Sequence, residues 1–109
     1  MLKKVNRLAK AKDIQKTFAR GRTFFNHFFN IKFLPASLEN KAFTVVVSTK
    51  VFKNATDRNR LKRIIREYIR KNLKTLPFGS YIIMAKPKIA QQKEQFRVAS
   101  FLEVLGKIK

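Results

Sequence analysis

Apolar residues recur along the chain with two different periods, and the periods separate strands from helices. In residues 23–34, Phe29, Ile31 and Phe33 alternate with Phe28, Asn30 and Lys32, a two-residue period that an extended strand converts into two faces. One face is expected to be core and the other functional. Residues 35–41 read as a loop, and residues 43–49, rich in β-branched side chains, as the returning strand. Together they suggest an antiparallel pair. Residues 81–85 form a short apolar run between the chain breakers Pro77 and Gly79 and the terminating Pro87, which predicts a buried strand.

Helical spacing occurs in three places. Ile14 and Phe18, four residues apart, predict a short helix over 12–20, with Gly21 placed to adopt the left-handed C′ conformation. Residues 55–74 carry Leu61, Ile64, Ile65, Tyr68 and Ile69 on one stripe. Asn54 or Thr56 is expected to cap that helix, and Asp57 suits the positive end of its dipole. Val98, Phe101, Leu102 and Leu105 predict a last helix within 90–108. The order is helix, strands, helix, strand, helix, with no internal repeat or linker, and residues 1–109 are expected to form one domain.

Composition adds a core and a partner class. A 45% hydrophobic content with eleven phenylalanines can fill a modest core. Against 6 Asp and Glu stand 26 Lys and Arg, a formal charge of +20, so the free chain repels itself and needs polyanionic company. Nucleic acid is the obvious polyanion. An anionic membrane is the weaker reading, because no stretch approaches the roughly 18 apolar residues of a spanning helix and the lysines are spread along the chain. The absence of cysteine excludes a disulfide, a thiolate nucleophile and a Cys-based zinc site, and fits a cytoplasmic location. Residues 1–5 lack the long apolar segment of a secretory signal. One histidine, His27, and six scattered acids make neither a metal cluster nor an acid–base pair, so chemistry by the polypeptide is not expected.

The densest signal lies in residues 50–74, where ten basic residues face only Asp57 and Glu67. At 100° per residue the apolar stripe centres between Leu61 and Ile65, while Asn59, Arg63, Arg66, Arg70 and Lys74 fall on the opposite side, flanked by Arg60 and Lys62. Such a ridge, about 30 Å long over 20 residues, can track several phosphates with forked guanidinium donors. Asn59 can add a contact to a base edge or a 2′-hydroxyl. Arg58 falls near the apolar edge, which leaves two readings open: it lies along the sheet surface, or it acts from the exposed first turn. The bland alternative is a solvated helix face, with Glu67 pairing to Arg63 and Lys71 four residues away. Two acids against ten bases argue against it, since unpaired like charges destabilise a helix unless a partner offsets them.

The run Ser48-Thr49-Lys50, then Asn54-Ala55-Thr56, then Arg58-Asn59-Arg60-Leu61-Lys62-Arg63-Ile64-Ile65-Arg66-Glu67 resembles the Arg-Asn-Arg signature of the bacterial ribonuclease P protein family. Arg7-Leu8, Asp13-Ile14, Phe18 and Gly21 resemble a second stretch of the same family, so the likeness covers nearly the whole chain. The resemblance implies an α+β fold: a compact α/β sandwich of order α-β-β-β-α-β-α, with a mixed four-stranded sheet and a left-handed βαβ crossover, an exception to the usual handedness. It implies that ribonuclease P RNA and precursor tRNA are the partners, with no obligate protein partner and no membrane. Carried over, Lys50, Lys53, Arg58, Asn59, Arg60, Lys62, Arg63, Arg66 and Arg70 would face the catalytic RNA. A cleft of Ile14, Phe18, Phe28, Asn30 and Lys32 between the first helix and the sheet would hold the single-stranded 5′ leader; Phe18 reads equally as a core residue. Catalysis would belong to the RNA with Mg2+, leaving no catalytic residue and no bound metal on this chain. The sequence departs from the family at three positions. Ile14 and Lys32 stand where aromatic residues are common, shifting leader binding from stacking toward charge. Lys53 replaces a glycine, at a turn where glycine would permit a positive φ. Rival readings are another basic RNA binder, such as a ribosomal protein, or a DNA-binding module with a recognition helix.

Overall fold

Two strands that lie side by side in parallel need a crossover between them, and here the crossover is the basic helix itself. In the computed structural model, which describes residues 11–35 and 41–108, the elements are α1 (Ala11–Arg20), β1 (Arg22–Phe25), β2 (Phe29–Pro35), β3 (Lys41–Val46), α2 (Ala55–Asn72), β4 (Gly79–Ala85) and α3 (Glu94–Gly106). Short 3-10 turns at Leu73–Thr75 and Pro87–Gln91 flank β4. The sheet order is β1-β2-β4-β3. β1 with β2 and β2 with β4 are antiparallel, whereas β3 with β4 is parallel. The expected α-β-β-β-α-β-α order and mixed four-stranded sheet are therefore present.

Two expectations about the strands change. The continuous strand over 23–34 is a hairpin, broken by Asn26, whose Oδ1 accepts hydrogen bonds from the N–H groups of Phe28 (2.8 Å) and Phe29 (2.9 Å). An Asn side chain that satisfies the backbone two and three residues on substitutes for the ladder and turns the chain. The expected antiparallel pairing of β3 with its predecessor does not form, because β4 lies between β2 and β3. Tyr81, Ile82 and Ile83 are all fully buried, and a strand apolar on both faces belongs at the centre of a sheet, covered from both sides.

One sheet face carries Phe29, Ile31 and Phe33 of β2, Phe43 and Val45 of β3, and Tyr81 and Ile83 of β4, joined in one core with Leu61, Ile65 and Ile69 of α2 and Phe101, Val104 and Leu105 of α3. Of the predicted α2 stripe, Leu61, Ile65 and Ile69 are buried, with Ile64 and Tyr68 half-buried at its edge. The other face carries Ile82, fully buried, where α1 packs across β2 and β4. Thr17 of α1 is also fully buried, its hydroxyl satisfied by the Asp13 carbonyl at 2.8 Å.

Helix ends differ from expectation in detail. Gly21 has no positive φ; among the described residues only Gly79 does, at 151°. Gly21 is required by crowding instead, since a Cβ there would lie 2.4 Å from the Thr17 carbonyl oxygen, which accepts the Gly21 N–H. Asn54 occupies the N-cap of α2 in extended backbone but makes no side-chain cap hydrogen bond, and Thr56 lies within the helix. α3 begins at Glu94 rather than near residue 90, because Pro87 opens a separate 3-10 turn that buries Ile89.

Candidate nucleic-acid interface

The buried side of α2 determines what its outer side presents. With Leu61, Ile65 and Ile69 turned to the core, the 100° step places Asn59, Arg63 and Arg66 outward, where with Glu67 they line a shallow depression of about 340 Å³. Asn59, Arg60, Arg63 and Arg70 are exposed, and Lys62 and Arg66 half-buried. Lys50 and Lys53 are exposed in the turn that leads into the helix. Lys53 has an ordinary negative φ, so the turn does not need glycine there. The ridge read from the sequence is therefore assembled on one surface.

Its members are not equivalent. Glu67, expected to pair four residues away, is held by Arg70 three residues on: Arg70 Nε donates to Glu67 Oε1 at 3.2 Å and Nη2 makes a closer contact. That hydrogen bond holds the Glu67 carboxyl below its usual range and raises the Arg70 guanidinium. Arg60 reaches Glu94 of α3 at 4.0 Å, both side chains well exposed, a geometry that contributes little in water. Arg58, in the first turn of α2, is partly exposed. Its Nη1 turns back to donate to the carbonyls of Phe52 (2.9 Å) and Lys53 (2.8 Å), using both hydrogens of that nitrogen on the preceding loop.

A second candidate surface lies on the α1 side of the sheet. Phe18 is 44% exposed, so it is not a core residue, and Ile14 on the same helix is half-buried. Asn30 and Lys32 are half-buried on the face opposite Phe29 and Ile31, in register with Met84 and Ile82 of β4. Phe28 does not join them. It precedes β2, so strand alternation does not govern it, and its ring meets Phe96 of α3 edge-on at 4.9 Å. Sequence reading missed Phe25, which stands opposite Asn30 in the hairpin register, is 58% exposed and has the Lys86 ammonium 5.2 Å from its ring centroid. Only the hairpin register reveals that placement, because a single strand over 23–34 has no cross-strand partner at Asn30.

Among the described residues, no group of three or more His, Asp or Glu side chains comes together as a metal site. His27 is exposed beside Phe28, their rings 6.4 Å apart.

Comparison with known proteins supplies the family. The family model described as Ribonuclease P matches residues 2–109. The ribonuclease P protein component of Dehalococcoides mccartyi is 37% identical over 107 residues, covering 97% of this chain and 87% of its own. That of Fusobacterium nucleatum is 32% identical over 105 residues, covering 95% and 94%. Among solved structures, the Staphylococcus aureus RNase P protein superposes with a TM-score of 0.90 at 24% identity, covering 97% of both chains. The Thermotoga maritima RNase P protein superposes at 0.81 with 26% identity, covering 94% of this chain and 97% of that one. With the match running essentially end to end and the fold shared, this chain belongs to the bacterial ribonuclease P protein family.

Proposed function

We propose that this chain binds the catalytic RNA of ribonuclease P through the outer face of α2 and the 5′ leader of precursor tRNA between α1 and the sheet. The observation that carries the reading is the back-to-back arrangement on α2, with a fully apolar buried side and an outer side of Asn59, Arg63 and Arg66. Forked guanidinium groups on a rigid helix bind phosphate oxygens in pairs, and each neutralised phosphate releases condensed counterions. On the α1 side, the exposed rings of Phe18 and Phe25 can stack on unpaired bases while Lys32 and Lys86 answer the backbone charge.

In this reading hydrolysis of the phosphodiester takes place on the RNA subunit with Mg2+, and the protein raises substrate and metal affinity. Mg2+ demands oxygen ligands in near-octahedral array. The acids here are few, with Glu67 engaged by Arg70 and Glu94 near Arg60, so this reading leaves the ion to the RNA. We place the protein in the cytoplasm with RNA rather than protein as its obligate partner; no helix among the described residues is long and apolar enough to cross a membrane.

Reconstitution tests the proposal. A bacterial ribonuclease P RNA is assayed for precursor tRNA cleavage at low magnesium, with and without this chain. Stimulation is expected, and its absence at every ratio of protein to RNA sinks the reading.

A further inference from the structure

Phe52, in the loop that enters α2, is gripped from two directions. Its carbonyl accepts from Arg58 Nη1 at 2.9 Å, and its ring lies beneath the Arg97 guanidinium, 5.0 Å from the centroid. Arg97 sits on α3 and is itself aimed by two further bonds: Nε donates to the Ile89 carbonyl at 3.1 Å and Nη2 to the Ala90 carbonyl at 3.0 Å. A planar guanidinium held by two carbonyls of a 3-10 turn presents a fixed flat face, which a lysine ammonium cannot reproduce. Phe52 itself lies in the turn that carries Lys50 and Lys53 and leads to Asn59.

We propose that Arg58 and Arg97 are positioning residues that clamp Phe52 from both ends and so set the pose in which the loop at 50–54 and the first turn of α2 meet RNA. Arg58 belongs to the signature run, yet both hydrogens of its Nη1 are spent inside the protein. Arg97 is half-buried in α3, outside the signature altogether. Glu94, one turn before Arg97 on α3, stands beside Arg60 in an exposed pair that contributes little, so the hold of α3 on this region is Arg97 on Phe52. The inference rests on the reading of α2 as the RNA-binding face.

Two measurements on the full chain separate the clamp from that reading. The first is amide hydrogen exchange without RNA. Arg97→Ala and Phe52→Leu are expected to speed exchange at residues 50–54 while α3 amides keep their protection; unchanged exchange at 50–54 overturns the clamp. The second is affinity for a bacterial ribonuclease P RNA transcript across a salt series. Arg97→Ala is expected to bind about two- to fivefold more weakly, the range given by loss of an exposed cation–π contact, with an unchanged salt slope and no rescue by Arg97→Lys. A slope lower by roughly 0.7–0.9 would mean that Arg97 touches a phosphate itself and overturns the proposal, as does unchanged affinity alongside faster exchange. If the unaltered chain fails to bind the transcript, the RNA reading falls while the exchange result still judges the clamp.

Discussion

Tyr81 lies against Phe43 with ring centroids 4.5 Å apart and planes 18° from parallel, and Phe33 stacks on it from the other side at 4.6 Å and 28°. The three occupy one row across β2, β4 and β3, as the register of both ladders requires. Tyr81 is fully buried, and its hydroxyl is satisfied by the Pro77 carbonyl. Burial pushes its phenol above the ordinary tyrosine range. Because the folded value is raised, the stability it contributes is full below the unfolded value of about 10 and is lost as pH rises beyond it. Tyr81→Phe is expected to cost about 1 kcal/mol at neutral pH, by loss of one hydrogen bond, and to flatten the alkaline fall in stability. Urea unfolding from pH 7 to 11 checks both.

Gly79 opens β4 at φ 151°, and a Cβ there would come within 2.4 Å of the Leu34 carbonyl oxygen and 2.7 Å of the Phe33 ring. Both the backbone conformation and the space exclude a side chain. Gly79→Ala is expected to lower stability by more than about 1 kcal/mol, whereas alanine at Gly106, which has open space, should be tolerated. The denaturation midpoints of the two variants decide the comparison.

Arg63 and Arg66 border one depression on α2 without contributing to the core. Replacing both with glutamate should leave the circular dichroism spectrum unchanged while weakening RNA-subunit binding. The dependence of log affinity on log salt should shrink by roughly 0.7–0.9 for each phosphate that is no longer neutralised. An unaltered slope would remove these residues from the interface.

Phe18→Ala removes a ring that is 44% exposed, so the melting temperature should move little. Cleavage of precursor tRNA is expected to suffer mainly when the substrate carries a leader, by about 1–3 kcal/mol if one base stacks there. Equal loss with and without a leader, or unfolding of the variant, rejects the assignment.

Much of the site is legible in the amino-acid sequence because a helix with a sufficient apolar stripe has a determined outer face. Once Leu61, Ile65 and Ile69 are assigned inward, the 100° step alone puts Asn59, Arg63 and Arg66 outward, and charge supplies the partner class. The α1 surface is legible only in part. Local spacing identifies Phe18 and Lys32, but Phe25 and Phe28 exchange roles because the Asn26 turn resets the alternation, and one turn changes which face every later side chain occupies.

What the sequence by itself determined was local: the periods that make three helices and the strands, the buried stripe of α2, and a surplus of positive charge that only a polyanion offsets. Tertiary structure decided what depends on residues far apart in the chain. It placed β4 between β2 and β3, since a strand apolar on both faces is stable only at the centre. It also set the Arg97 guanidinium of α3 over the Phe52 ring, because the two meet only after α3 has packed beside α2. Periodicity reports how a residue faces along its own element, and hydrogen-bond partners from other elements decide whether it stays free for a ligand.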